Sequence, residues 1–193
     1  MKTTSIMIVG VGGQGTLLAS RLIGYVLTKK GYDVKLSEVH GMSQRGGDVI
    51  THVRVGEKVL SPLVTEGEAD AILSFELMEA ARALPFLREG GRIVVNSQKI
   101  EPVTVKIGAA EYPEGIDALL RSRGRVLEFD ARAVAAECDA PKSVNIALLG
   151  AFAAGESFTQ EAWLAAVEAC VPPKTIEANR RAFLAGWQLG EKA

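Results

Sequence analysis

The chain has 193 residues, of which 48% are hydrophobic and 23% are charged, and its formal net charge is −1. This length supports one well-buried core and is too short for two, so we expect a single domain over residues 1–193. The balanced charge argues against a nucleic-acid or membrane partner, since either usually requires a clustered basic face. No targeting segment or membrane-length apolar stretch is evident, and we expect a cytoplasmic protein.

The first forty residues predict a strand–helix–strand unit. SIMIVG, residues 5–10, is a short apolar run ending at glycine, as in a buried parallel strand. Residues 16–31 have helical spacing of leucines and end in two lysines and a glycine, and residues 32–39 alternate as a second strand. The unit has the length of a crossover connection between parallel strands.

The rest of the chain continues the alternation of strands and helices. Residues 49–62 resemble a hairpin turning at Gly56-Glu57, and residues 102–108 resemble an element of a second hairpin. Residues 76–91 predict a helix that Pro85 kinks or interrupts. Further strands are predicted at 69–75, 92–97 and 125–130, and helices at 115–124 and directly after residue 130; the last third is helical, with Thr159 as a cap. We therefore predict an α/β, Rossmann-like three-layer domain whose mostly parallel sheet has antiparallel hairpin additions and is followed by C-terminal helices.

The motif GVGGQG, residues 10–15, lies where a strand passes into a helix. Gly10 permits a tight turn, Gly12 permits close approach of a pyrophosphate, and Gly15 permits close helix–strand packing. With Gly13 and Gln14, these residues predict a phosphate or nucleotide site at the positive end of a helix. The alternative is that the glycines serve packing alone.

Two families that bind nucleotides through such glycines fit the sequence less well. Glu38 stands near the position where an NAD-binding domain places the carboxylate that binds the ribose, but the second strand leads into a glycine-rich loop where a second crossover helix should follow. The doubled glycine is also similar to the adenylating E1-like enzymes. Those commonly carry CxxC zinc pairs or a catalytic cysteine, whereas Cys138 and Cys170 lie in no motif, and we expect two buried thiols without a disulfide.

The stretch GMSQRGGDVITH, residues 41–52, places polar and glycine residues between two predicted strands. Arg45 offers a planar fork of donors for phosphate or carboxylate, and the alternative is a salt bridge within the fold or at a subunit interface. Ser43 and Gln44 can donate and accept hydrogen bonds, and Gly46-Gly47 allow backbone to approach a partner. His40 could titrate near neutrality, although a structural hydrogen bond is the more ordinary role.

The motifs together resemble a known family. GVGGQG, SEVHGMSQRGGDVITHVRVG, SVNIALLGA (143–151) and KTIEANRRAFLAG (174–186) are similar, in this order, to the gamma subunit or domain of the 2-oxoacid:ferredoxin oxidoreductases. Within that family the chain most resembles the beta subunit of the indolepyruvate enzyme. The gamma subunits of the pyruvate and other 2-oxoacid enzymes share most of the motifs.

The resemblance implies a reaction in which a 2-oxoacid is oxidatively decarboxylated on thiamine diphosphate. Electrons pass through iron–sulfur clusters to ferredoxin, and the acyl group passes to coenzyme A. This chain lacks a thiamine diphosphate–magnesium signature and has two cysteines where one cluster commonly needs four. A large alpha subunit carrying thiamine diphosphate, Mg and the clusters is therefore the implied partner, and we expect this chain to bind no metal and none of these cofactors firmly.

The sequence leaves two alternatives for the role of this subunit in the reaction. Gly10–Gly15 and Ser43–Gly47 are expected to form one surface at the carboxyl ends of the strands, which either holds coenzyme A or contacts the alpha subunit beside the thiamine. Asn145, on an otherwise apolar helix, is predicted to hydrogen-bond this region; the alternative is a capping or core amide. A self-sufficient nucleotide-binding protein is the competing class.

Overall fold

The computed structural model describes residues 3–41 and 47–193. They form one six-stranded sheet with the order β2-β3-β1-β4-β5-β6. The strands are β1 (Thr4–Val11), β2 (Asp33–His40), β3 (Asp48–Gly56), β4 (Ala69–Ser74), β5 (Leu87–Asn96) and β6 (Arg125–Phe129).

Strand β3 runs against the direction of the other five strands. β1, β4, β5 and β6 pair in parallel, whereas β3 pairs antiparallel with both β1 and β2. The chain therefore crosses over from β1 to β2, skips one position in the sheet, and fills that position with β3. β2 thereby becomes an edge strand, and it is separated from β1 by the full width of β3.

Helices cover both faces of the sheet. They are α1 (Thr16–Lys29), α2 (Leu77–Ala83), α3 (Val103–Lys106), α4 (Ile116–Arg121), α5 (Ala131–Glu137), α6 (Val144–Ala153), α7 (Gln160–Cys170) and α8 (Ile176–Gly190). Alternation in β1 divides the core, because Ile6 and Ile8 pack with α1, α6, α7 and α8 while Met7 and Val9 pack with α2 and α4. The predicted α/β three-layer, Rossmann-like class with C-terminal helices is confirmed.

Three local predictions were wrong. Strand β3 pairs antiparallel with β2 and not with a strand after Gly56, and residues 57–62 form no strand. Residues 103–106 are the short helix α3 and not a hairpin strand. The helix predicted over 76–91 is interrupted at Pro85 as expected but does not resume: α2 ends at Ala83, a 3-10 turn over Leu84–Phe86 contains Pro85, and β5 begins already at Leu87. The reason is that proline cannot continue the helix, and the residues after it pair with β4.

The C-terminal helices follow the sequence closely. Helix α6 is buried over Ile146–Ala153, as its continuous apolar sequence predicts. The Thr159 side chain accepts a hydrogen bond from the backbone N–H of Ala162 and so caps α7. None of the helices in the described part of the chain has the length and apolar character needed to span a membrane.

Candidate functional site at the carboxyl edge of the sheet

The glycine-rich loop between β1 and α1 leaves the first turn of α1 open. Gly15 occupies the N-cap position in the left-handed conformation, with φ of 84°, and no side chain caps the helix within the described residues. Gly13 also has a positive φ, of 99°. The positive end of the helix dipole and its first backbone N–H groups therefore point to the carboxyl edge of the sheet, an arrangement that favours an anion.

Gln14 holds this loop in place from within. Its Oε1 accepts a hydrogen bond from the backbone N–H of Val11 at 2.7 Å, and its Nε2 donates to the carbonyl of Phe75 at 2.9 Å. A Cβ atom on Gly10 would meet Gln14 Oε1 at 2.9 Å and Phe75 Cβ at 3.0 Å. Gln14 and Gly10 thus have structural functions here, and their predicted contact with a ligand stays a prediction.

Asn145 lies against the same loop, as the sequence predicted. This residue is in the first turn of α6, and its Nδ2 donates a long hydrogen bond of 3.4 Å to the carbonyl of Gly15. Its Oδ1 accepts from the backbone N–H of Ile146, so the same amide also bonds within its own first turn. The N-termini of α1 and α6 consequently meet at one point of the edge.

A cleft of about 360 Å³ opens beside the glycine-rich loop. It lies at the carboxyl ends of β1 and β4, where the strand order of the sheet reverses, and this is the usual ligand position in open α/β sheets. Four polar residues that were not predicted from the sequence contribute to it: Asn96 at the end of β5, Gln98 after it, Arg132 after β6, and Lys142 before α6. The signal that identifies them is their position directly after a parallel strand or before a helix at the same edge.

The cleft combines two cations with several amides. Arg132 and Lys142 are exposed to solvent, whereas Asn96 is 1% exposed. The Asn96 Nδ2 donates to the carbonyl of Phe75, and its Oδ1 accepts from the backbone N–H of Ala131. The amides fix the floor and the cations supply positive charge at the mouth, so the cleft suits an elongated anionic ligand.

The other side of the glycine-rich loop borders a second cleft, of about 420 Å³. Glu38 and His40 line it together with Gly12 and Gly13. Glu38 accepts a hydrogen bond from Thr51 at 3.2 Å, and His40 Nδ1 contacts the carbonyl of Gly41. Because β3 lies between β1 and β2, Glu38 is one strand, about 4.8 Å, farther from the glycine-rich loop than the carboxylate of an NAD-binding domain.

Gly47, the last residue of the SQRGG motif, contacts the glycine-rich loop. Gly47 accepts a hydrogen bond through its carbonyl from the backbone N–H of Gly12 at 2.8 Å. The predicted ligand residues Ser43, Gln44, Arg45 and Gly46 lie outside the described residues. The contact between Gly12 and Gly47 brings the two sequence motifs together at one edge of the sheet.

Both cysteines are free thiols, and they belong to different helix ends. Cys138 follows α5 and Cys170 ends α7, and both are half-buried where full burial was expected. Burial raises the pKa of the Cys170 thiol above its ordinary value, which disfavours the reactive thiolate. Among residues 3–41 and 47–193, no group of three His, Cys, Asp or Glu side chains is arranged to hold a metal ion.

The fold and the site together define an α/β subunit whose glycine-rich helix terminus and cationic cleft share one sheet edge. Residues 5–189 match the model of the pyruvate ferredoxin/flavodoxin oxidoreductase family, and the chain belongs to that family. The chain is 42% identical over 200 residues to indolepyruvate oxidoreductase subunit IorB of Thermococcus kodakarensis, covering 100% of this chain and 96% of that protein.

Two solved structures share the fold. One is the gamma subunit of a keto/oxoacid ferredoxin oxidoreductase from Geobacter sulfurreducens, with a TM-score of 0.73 and 24% identity over 98% of this chain and 99% of that one. The other is the 2-oxoglutarate:ferredoxin oxidoreductase of Magnetococcus marinus with 2-oxoglutarate, coenzyme A and succinyl-CoA bound. It matches with a TM-score of 0.76 and 18% identity, and covers 100% of this chain and 32% of that one. The predicted resemblance is confirmed, and the chain is a subunit of a 2-oxoacid:ferredoxin oxidoreductase.

Proposed function

We propose that the chain is the non-redox subunit of a thiamine-diphosphate-dependent indolepyruvate:ferredoxin oxidoreductase, and that its cleft binds the coenzyme A substrate. In this reaction an aryl pyruvate loses CO₂, two electrons pass to ferredoxin, and the acyl group is transferred to the coenzyme A thiol. The similarity over the full length to an indolepyruvate oxidoreductase subunit supports the aryl-pyruvate substrate. We place the complex in the cytoplasm.

The observation that carries the coenzyme A assignment is the pairing of an uncapped helix N-terminus with two cations across one cleft. The open first turn of α1 suits a pyrophosphate, and Arg132 and Lys142 come from two other connections to the same cleft. Coenzyme A is an elongated anion with a diphosphate and a further phosphate. A related oxidoreductase has coenzyme A bound, which agrees with this assignment.

The redox chemistry belongs to a partner in this proposal. Two cysteines cannot supply the four thiolates of one iron–sulfur cluster, so the large alpha subunit carries the clusters, thiamine diphosphate and Mg. Thiamine diphosphate supplies the carbanion chemistry when bound there. The residues of this chain bind the acyl acceptor, orient it and neutralise its charge, and Arg45 in the SQRGG loop contacts either coenzyme A or the alpha subunit.

Co-expression with the alpha subunit tests the proposal at the level of the complex. We expect a brown complex that reduces ferredoxin with indolepyruvate and coenzyme A, more efficiently than with pyruvate, and an isolated chain that is colourless and inactive. A preference for pyruvate or another 2-oxoacid would assign the chain to a sister enzyme. Tight binding of NAD or ATP by the isolated chain, without a complex, would favour the self-sufficient nucleotide-binding protein.

Lys142→Ala tests the coenzyme A cleft. Because Lys142 is exposed, its attraction for a phosphate is screened, and we expect the KM for coenzyme A to rise about 3- to 10-fold with kcat and the KM for indolepyruvate little changed. Lys58→Ala is the matched control, since Lys58 is also exposed but follows β3 at the opposite edge of the sheet. An equal KM for coenzyme A in the two variants would contradict binding at this cleft.

A further inference from the structure

Glu76 is a fully buried carboxylate at the edge that holds the cleft. It lies between β4 and α2 with 0% exposure. Its Oε2 accepts from the backbone N–H of Glu79 at 2.9 Å, which caps α2. Among the described residues no Lys or Arg side chain forms an ion pair with it. Burial of an unpaired carboxylate is costly, and only its hydrogen bonds offset that cost.

The second carboxylate oxygen joins both ends of one connection. Glu76 Oε1 accepts from the backbone N–H of Ile100 at 3.0 Å and from the hydroxyl of Tyr112 at 2.6 Å. The Tyr112 hydroxyl also accepts from the backbone N–H of Met78 at 3.1 Å. The residues on either side of segment 101–111, which includes α3, thus donate to the same oxygen atom. We call Glu76, Ile100 and Tyr112 the Glu76 cluster.

The Tyr112 hydroxyl stays protonated and can therefore donate to Glu76. Burial, and then its hydrogen bond to Glu76, raise the pKa of Tyr112 well above its ordinary value. The phenol therefore keeps its proton throughout the physiological range, and the short contact to Glu76 is a charge-assisted hydrogen bond of the stronger kind.

The Glu76 cluster reaches the cleft through Gln98. The carbonyl of Gln98 accepts from the backbone N–H of Leu77, next to Glu76, at 3.0 Å. The Gln98 side-chain oxygen lies 3.5 Å from Gln14 Nε2 and 3.4 Å from Asn96 Nδ2. Residues 98 and 100 are therefore held on the start of α2, and this orients the Gln98 amide toward the glycine-rich loop.

We propose that Glu76 is a positioning residue that, through Ile100 and Tyr112, holds the connection after β5 so that Gln98 keeps the floor of the coenzyme A cleft in register with the glycine-rich loop. This inference rests on the proposed function of the cleft. Glu76 touches no substrate itself, since it is sealed from solvent. Its effect is on the binding of coenzyme A and not on the decarboxylation of the 2-oxoacid.

Tyr112→Phe in the reconstituted complex tests the inference with the loss of one hydroxyl group. We expect the KM for coenzyme A to rise on the order of tenfold, with kcat and the KM for indolepyruvate changed less than about twofold, because a charge-assisted hydrogen bond is lost and the ring remains. Hydrogen exchange over residues 98–112 should become faster in the same variant.

The control is Tyr32→Phe, whose ring packs on Phe158 at the opposite edge of the sheet. It should leave the KM for coenzyme A and the exchange of residues 98–112 unchanged. If Lys142→Ala raises the KM for coenzyme A and Tyr112→Phe does not, the positioning role is wrong while the proposed function stands. If neither variant raises it, the coenzyme A cleft is wrong and the inference falls with it. Equal increases in both substrate KM values with a lower melting temperature would show a purely structural role and overturn the proposal.

Discussion

At the scale of single residues, Gly15 meets two separate requirements. Its φ of 84° lies in the left-handed region, which costs an L-residue about 1–2 kcal/mol. In addition, a Cβ atom at this position would lie 2.4 Å from Asn145 Nδ2. Gly13 has the same conformational requirement, with φ of 99°, but open space around it. Gly15 thus has the contact with Asn145 in addition to the requirement that it shares with Gly13.

Gly15→Ala should destabilise the protein more than Gly13→Ala. For Gly13→Ala we expect a loss of about 1–2 kcal/mol in the free energy of unfolding, from backbone strain alone. For Gly15→Ala we expect a larger loss together with a higher KM for coenzyme A, since the Asn145 amide must turn away from the start of α1 and gives up its hydrogen bond to Gly15. Denaturant unfolding and steady-state kinetics measure the two effects.

The variant Asn145→Ala tests whether the contact with Asn145 is the reason for the larger loss in Gly15→Ala. Combined with Gly15→Ala it removes the colliding amide, and the double variant should be more stable than the sum of the single effects predicts. Additive losses would show that Asn145 does not restrict Gly15, and the contact between α1 and α6 would then not explain the glycine.

At the scale of elements, α6 and α8 approach each other through glycines. A Cβ atom on Gly186 would lie 1.9 Å from the carbonyl oxygen of Ala147, and one on Gly150 would lie 2.1 Å from that of Phe183. Both obstacles are backbone atoms, which cannot rotate away. The separation of the two helices is thus set by the absence of side chains at these positions, and this contact orients α6, which carries Asn145 to the cleft.

Gly186→Ala should therefore lower stability although alanine favours helices. We expect a loss of about 2–4 kcal/mol from overpacking, measured by denaturant unfolding. Gly24→Ala within α1 is the matched control, because its Cβ would meet only Leu36 Cδ1 at 3.4 Å. There we expect a gain of up to about 1 kcal/mol from helix propensity. The same sign in both variants would contradict the close approach of α6 and α8.

At the scale of the whole molecule, one ion pair joins the sheet to the C-terminal helices. Arg92 on β5 donates from Nη2 to Glu156 at 2.6 Å and to the carbonyl of Phe152 at 3.0 Å. Its guanidinium also lies 4.6 Å from the centre of the Phe152 ring. The side chains of Arg92 and Glu156 are 19% and 24% exposed, so water screens the pair only in part.

Breaking this pair on one side should cost more than replacing both partners. We expect Glu156→Gln to lower the free energy of unfolding by about 2–4 kcal/mol, since Arg92 keeps a half-buried charge without its partner. The double variant Arg92→Met with Glu156→Leu should recover much of that loss, because no buried charge remains. Thermal or denaturant unfolding of the wild type, Glu156→Gln and the double variant measures these differences in stability. A double variant as unstable as Glu156→Gln would show that packing around Arg92, and not the charge, is what matters.

Much of the fold was predictable because the signals were local. The strand over residues 5–10, the helix after the glycine-rich loop and the Thr159 cap each follow from neighbouring residues. The hairpin was misplaced for the opposite reason. Residues 49–56 alternate as a strand does, but alternation does not say which strand it pairs with, and β3 pairs with β1 and β2 across the sheet.

The sequence by itself determined the α/β class, the glycine-rich loop and the family, because each rests on short motifs. The tertiary structure alone decided which side chains meet at the cleft. Gln14, Gln98, Arg132, Lys142 and Asn145 converge there only because parallel strands end at one edge and α6 is oriented by α8. In the sequence Glu76 is the first residue of a predicted helix, and its burial and its contacts with Ile100 and Tyr112 exist only in the folded chain. Contacts between residues distant in the chain depend on packing, which no local pattern encodes.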